Sequence, residues 1–233
     1  MLKKTGFRIL ATLALALVAV ANQSQAEALS ALSAGSPYIL VFVTSDTINA
    51  MSSTIGDYNT FVTTEANLNP ALMALGTTWS VIGSTPDTNA IANIGSNPGI
   101  PIFDVNGNQI AVDDTTSGLF SGSLLNPILY DENGVANPTN VWTGTNAGGT
   151  TYSYLGGLTP NFGSSEASVD GTWINDGDQA NTNGLSLYAI SGTLEVAAPE
   201  PTTTVMTASG VAMLLFFLRR RNARLRSRTE TNQ

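Results

Sequence analysis

Apolar residues along this chain occur in two continuous runs bracketed by bases and, between them, in short strand-length or helix-spaced pieces. The first run, residues 9–21, follows Lys3, Lys4 and Arg8; the second, residues 205–218, precedes Arg219, Arg220 and Arg221. Inside these limits, residues 38–45 (YILVFVTS) are apolar and β-branched without a break, which predicts a buried strand. Over 57–75 the pattern changes to helical spacing at Tyr58, Phe61, Val62, Ala66, Leu72 and Leu75, interrupted at Asn69-Pro70 and stopped at Gly76. Residues 77–82 (TTWSVI) predict a second strand, and residues 87–94 a short helix after Pro86.

Residues 101–105 and 108–112 flank Asn106-Gly107 and predict a hairpin with a type I′ turn, since both central residues accept positive φ. Asn133-Gly134 predicts another turn, between residues 127–130 and 140–143. Gly148-Gly149, Gly156-Gly157 and the polar stretch 163–171 predict a loop-rich later half. Trp173-Ile174 and residues 185–191 read as closing strands, and no solenoid period is evident.

Charge changes this picture. All nine bases lie at the two ends, with no Lys, Arg or His between Arg8 and Arg219, whereas every one of the 17 acidic residues except Glu230 lies between them. Nucleic acid and anionic membrane surfaces are therefore poor partners, and cations, neutral glycans and basic surfaces remain open. The acidity reads equally well as simple solubility. Without Cys there are no disulfides, so packing, and bound metal if there is any, must hold together about 170 residues, enough for one domain. The same absences exclude His- or Cys-ligated zinc, His-assisted nucleophiles, Schiff bases and phosphate clamps. Carboxylate pairs for glycoside hydrolysis remain: Asp113-Asp114, Asp131-Glu132, and Asp176 with Asp178, although such pairs also occur in plain solvated loops. Calcium is the cofactor that carboxylate and amide oxygens on turn-rich loops would suit.

The ends read as addresses. Residues 1–26 have the charged start, apolar centre and small-residue exit of a signal peptide, with signal peptidase expected to cut after Ala26, or alternatively after Ala28. Residues 202–218 are barely long enough for a membrane helix, because a hydrocarbon core about 30 Å thick needs roughly 17 residues rising about 1.5 Å each. Bases on the cytoplasmic side of both segments place everything between them outside the cytoplasm, leaving 229–233 as the end of a cytoplasmic tail. Pro199-Glu200-Pro201, then the apolar helix, then the arginine cluster Arg219, Arg220, Arg221 resemble the PEP-CTERM sorting signal of Gram-negative bacteria, over residues 197–228. The resemblance implies an inner-membrane precursor cut by an exosortase in an exopolysaccharide-producing bacterium, and a passenger released to or attached at the cell surface. An ordinary single-pass anchor with a Pro-rich stalk is the alternative.

The passenger, residues 38–196 behind a flexible lead-in at 27–37, has its own resemblance. Residues 41–45 (VFVTS), Trp79, the 103–110 hairpin, 122–127 (GSLLNP), 141–145 (VWTGT), Trp173 and 187–190 (LYAI) are similar to the endostatin-type branch of the C-type-lectin-like fold. That resemblance implies an α+β architecture with an irregular mixed sheet, two helices and long loops. Members commonly carry cysteine pairs, and this chain has none. Trp173-Ile174-Asn175-Asp176 also resembles the Trp-Asn-Asp motif of sugar-binding lectins, with Ile174 as a departure; Asp178 and Asn181 would complete the loop. Asn137-Pro138-Thr139 lacks the carboxylate of the partner Glu-Pro-Asn triplet. Asn175, Asp176 and Asp178 are thus candidate calcium ligands, against the alternative that Trp173 packs in the core beside a solvated loop, as Trp79 and Trp142 are expected to pack. The expected function is a non-enzymatic exported surface or matrix protein; the alternatives are a calcium-dependent lectin for exopolysaccharide and a carboxylate-based hydrolase.

Overall fold

The seven residues Pro37–Val43 form β1, and its side chains enter two different cores. Ile39, Val41 and Val43 serve one face of the sheet, Leu40 and Phe42 the other, which is why the segment is apolar throughout instead of alternating. The computed structural model describes residues 27–198. Within them β1 runs parallel to β3 (Ile102–Asp104) on one side and antiparallel to β8 (Ser186–Ser191) on the other. β4 (Gln109–Ala111) pairs with β3 at one edge. Beyond β8 the sheet continues through β5 (Asn140–Trp142), parallel to β8, then β6 (Asn161–Ser164) and β7 (Gly177–Asp178). β2 (Trp79–Val81) also pairs with β8, and β9 (Leu194–Glu195) with β1. The result is a mixed nine-stranded sheet with few helices, an α+β architecture. The strand expected to close the fold, β8, is central: its first half pairs with β5 and its second with β2, while β1 lies along its other edge.

One helix longer than a single turn is present among the described residues, where two were expected. It is α2 (Ile55–Leu68), which follows the one-turn α1 (Glu27–Ser30). Tyr58, Val62, Glu65 and Ala66 form its buried stripe; Phe61 is half-buried and Leu75 exposed. Asn69 leaves the helix with extended backbone because the residue before proline avoids the α region. Its side chain then caps α3 (Pro70–Met73) by accepting from the Ala71 N–H at 2.8 Å. Gly76 follows at φ +60°, the stop read from the sequence. The helix after Pro86 is a single turn, α4 (Ala90–Asn93).

Several expectations are corrected. The lead-in is docked: Leu29 and Leu32 pack against the second core, and Gly35 and Ser36 exchange backbone hydrogen bonds with Val196. The 104–108 turn is not type I′, because Asn106 does not have positive φ; Gly107 alone does, at +86°. The Gly107 N–H donates to the Asp104 carbonyl and the Asp104 N–H to the Asn108 carbonyl, the pattern of a type I turn followed by a left-handed bulge residue. The Asp104 carboxylate decides the choice by accepting from the Asn106 and Asn108 N–H groups, both at 2.9 Å. Asp131 with Gly134 and Asn146 with Gly149 repeat this turn, each first residue accepting from N–H groups two and four residues on. The segments flanking Asn133-Gly134 meet only at the Tyr130–Ala136 bridge and do not form a hairpin with β5. Trp173-Ile174 lies in a turn and not a strand, its backbone bonded back to Gly171. The expected membrane helix at 202–218 lies outside the described residues, among which no helix is long and apolar enough to cross a membrane.

Candidate functional site

Residues 141–145 form a buried polar knot. Trp142 donates from Nε1 to the Ile48 carbonyl at 3.0 Å. Thr143 Oγ1 donates to the Ile174 carbonyl at 2.6 Å, and Thr145 Oγ1 lies 2.7 Å from the Thr143 carbonyl and 2.8 Å from Ser84 Oγ. Gly144 has φ +60°, and a Cβ there would come within 2.6 Å of the Leu155 nitrogen. Trp79, Trp142 and Trp173 are all buried, so none offers a face to a ligand. Trp173 stacks obliquely on Tyr188, ring centroids 5.8 Å apart, and its carbonyl accepts the Tyr188 hydroxyl at 3.0 Å.

Trp173 in the core determines what the following loop presents. Asn175 is half-buried and its Oδ1 accepts from Asn161 Nδ2 at 2.6 Å. Asp176 donates its N–H to the Phe162 carbonyl at 2.7 Å and leads into β7, where Asp178 pairs with Asn161. Asp176, just before this edge strand, and Asp178, within it, are both exposed, and neither carboxylate has a protein donor. Asn181 turns inward, donating from Nδ2 to the Gly157 carbonyl at 2.8 Å. Of the three candidate ligands, Asn175 is thus engaged with Asn161, while Asp176 and Asp178 carry exposed carboxylates. Among the described residues no group of three or more Asp or Glu side chains is placed to hold a metal ion. Two carboxylates alone leave most of the six to eight oxygens that calcium requires to be supplied from outside the chain.

The other carboxylate pairs hold loops together. Asp113 accepts from the Thr115 N–H and hydroxyl and from the Gly99 N–H, and the Thr115 hydroxyl holds it below the usual carboxylate range. Buried Asp114 accepts the Asn97 N–H on both oxygens, at 2.7 and 2.9 Å. Asp131 organises its own turn, while buried Glu132 accepts from the Ser45 N–H at 3.0 Å, from the Ser45 hydroxyl and from Asn133 Nδ2 at 3.0 Å. Each pair thus engages separate loops, with neighbouring carboxylates directed to different partners.

Two buried acids escaped the sequence reading. Glu65 is four percent exposed on the inner stripe of α2, its carboxylate accepting from the Asp46 N–H. Burial raises its proton affinity, and the charges of Asp46 and Glu132 raise it further, with no base among the described residues to offset them. Its place three residues after Val62 and seven after Tyr58 is the signal that would have found it. Asp104 is likewise raised by burial, against the lowering effect of hydrogen bonds from Asn108, Asn106 and Gly107. Its signal was the Asp-x-Asn-Gly spacing shared with Asp131. The processing residues Ala26, Pro199, Glu200 and Pro201 and the stop residues Arg219, Arg220 and Arg221 lie outside the described residues. The chain matches no protein-family model and no curated protein.

Proposed function

We propose that this is a non-enzymatic exported protein of the cell surface or extracellular matrix, cleaved by signal peptidase after Ala26 and sorted by an exosortase acting near Pro199-Glu200-Pro201. One observation carries the reading: every base lies beside one of the two apolar terminal runs, and Pro-Glu-Pro, apolar stretch and arginine cluster follow in that order. The passenger is proposed to be a C-type-lectin-like domain of the endostatin type that has dispensed with disulfides. Its mixed irregular sheet, long loops and double core support this. The use of Asp113, Asp114, Asp131 and Glu132 as loop fasteners supports the non-enzymatic reading over a hydrolase. Intact-mass measurement of surface protein should show both ends removed, and Glu200→Ala should leave a precursor in the inner membrane. Recovery of mature surface protein extending to Gln233 would defeat the proposal.

The exposed pair Asp176 and Asp178 supports a second reading, calcium-dependent binding of exopolysaccharide, in which sugar hydroxyls and water complete the cation's shell. Calcium at a hundred times its dissociation constant would add about 2.7 kcal/mol of stability. Equal stabilisation by calcium, magnesium and ionic-strength-matched sodium chloride, or a calcium response unchanged in Asp176→Asn, would remove it.

A further inference from the structure

The chain contains three Asn-Gly steps, at Asn106, Asn133 and Asn183, and the structure treats them differently. An Asn-Gly step can modify itself. The glycine backbone nitrogen attacks the asparagine Cγ, forming a five-membered succinimide as the Cγ–Nδ2 bond breaks and ammonia leaves. Water then opens the ring at either carbonyl, leaving aspartate or isoaspartate. The attack needs a glycine N–H that is not already donating and an asparagine side chain free to turn back onto the main chain.

Two of the steps meet neither condition. The Gly107 N–H is held by the Asp104 carbonyl at 3.0 Å, and Asn106 Nδ2 donates to the Gly134 carbonyl at 3.1 Å. The Gly134 N–H is held by the Asp131 carbonyl at 2.9 Å, and Asn133 Nδ2 donates to Glu132 at 3.0 Å. At the third step neither the Gly184 N–H nor the Asn183 side chain has a hydrogen-bond partner; Asn183 is fixed only through its own N–H, given to the Ala180 carbonyl at 3.0 Å. Gly184 is exposed, so water reaches the ring that would form.

We infer that Asn183 is a spontaneous modification site of the folded protein, and that the Asp-capped turns shield Asn106 and Asn133 from the same reaction. Releasing one backbone hydrogen bond of ordinary strength reduces a reactive population about tenfold, so folded-state conversion at Asn183 should be at least about tenfold faster than at the other two. The product carries one more negative charge. In the isoaspartate form it also lengthens the main chain by a methylene just before Leu185, whose backbone exchanges hydrogen bonds with Ile48 ahead of β8. This inference is independent of the sorting and lectin readings.

The test is to age the full-length chain near neutral pH, folded and in denaturant, and to follow the one-dalton gain at each site by chymotryptic peptide mapping. Conversion confined to Asn183 in the folded chain, comparable rates at all three sites in denaturant, and loss of the acidic isoform in Asn183→Gln are the expected results. Asn183 staying intact in the folded chain while it converts in denaturant would overturn the inference. So would Asn106 or Asn133 keeping pace with it in the folded chain.

Discussion

The two faces of the central sheet are covered by different means. On one, α2 lays Tyr58, Val62 and Ala66 over Leu40, Phe42, Leu187 and Ala189, and Phe42 meets Trp79 edge-on with ring centroids 5.0 Å apart. A helix satisfies its own backbone polar groups, so α2 itself brings few unpaired backbone groups to this face. On the other, irregular chain carrying Leu119, Phe120, Leu124, Ile128, Trp173 and Ile174 closes over Ile39, Val41 and Val43. A loop cannot bury itself without partners for its N–H and C=O groups. Here those partners are side chains: the Thr143 hydroxyl for the Ile174 carbonyl, the Tyr188 hydroxyl for the Trp173 carbonyl, and Asp114 for the Asn97 N–H. The comparison teaches that this domain, lacking cysteine, uses buried Asp, Thr and Tyr to hold irregular segments in place.

The largest expected effect tests the helix-covered face. Phe42→Ala should cost about 4 kcal/mol through lost burial and the cavity beside Trp79, read as a fall in the denaturation midpoint. A loss under about 1 kcal/mol would mean that α2 does not seal this face. The loop-covered face should instead fail when atoms are added. A Cβ on Gly163 of β6 would overlap the Trp173 carbonyl, which is backbone and cannot swing aside, so Gly163→Ala should cost about 3 kcal/mol. An unchanged midpoint would separate β6 from the Trp173 turn. A smaller loss, about 1–2 kcal/mol, is expected for Thr143→Val, which keeps the shape but leaves the buried Ile174 carbonyl without its donor. If the loop face relied on apolar contact alone, this substitution would be neutral in the same assay.

The smallest effect concerns protons. Glu65 and Asp104 hold their protons more tightly in the folded state than in the unfolded chain. Their contribution is therefore fully present below ordinary carboxylate values and is lost as pH rises through the raised ones. Half-buried Asp113, held low, acts oppositely, losing its contribution only as pH falls through its lowered value. Mild acidification from neutral pH is thus expected to raise the melting temperature, with a shallower rise in Glu65→Gln. A melting temperature that falls over that range, or a slope untouched by the substitution, would show that these acids are not destabilised by burial.

The sequence by itself determined the elements whose causes are local. The run 38–45 predicted a buried strand, which the structure places at Pro37–Val43; Asn69-Pro70 and Gly76 had to break and stop a helix, since the residue before proline and a left-handed terminus are set by sterics within a few residues. The proposed terminal address signals rest on composition and order alone, and they lie outside the described residues. Tertiary structure decided the rest. Trp173 could be placed only by its contacts with Phe120 and Tyr188. Asn175, read from the sequence as a candidate cation ligand, has its Oδ1 engaged by Asn161, 14 residues away along the chain. A polar side chain's availability depends on which distant donor reaches it first, and that is fixed by the packing of strands far apart in sequence.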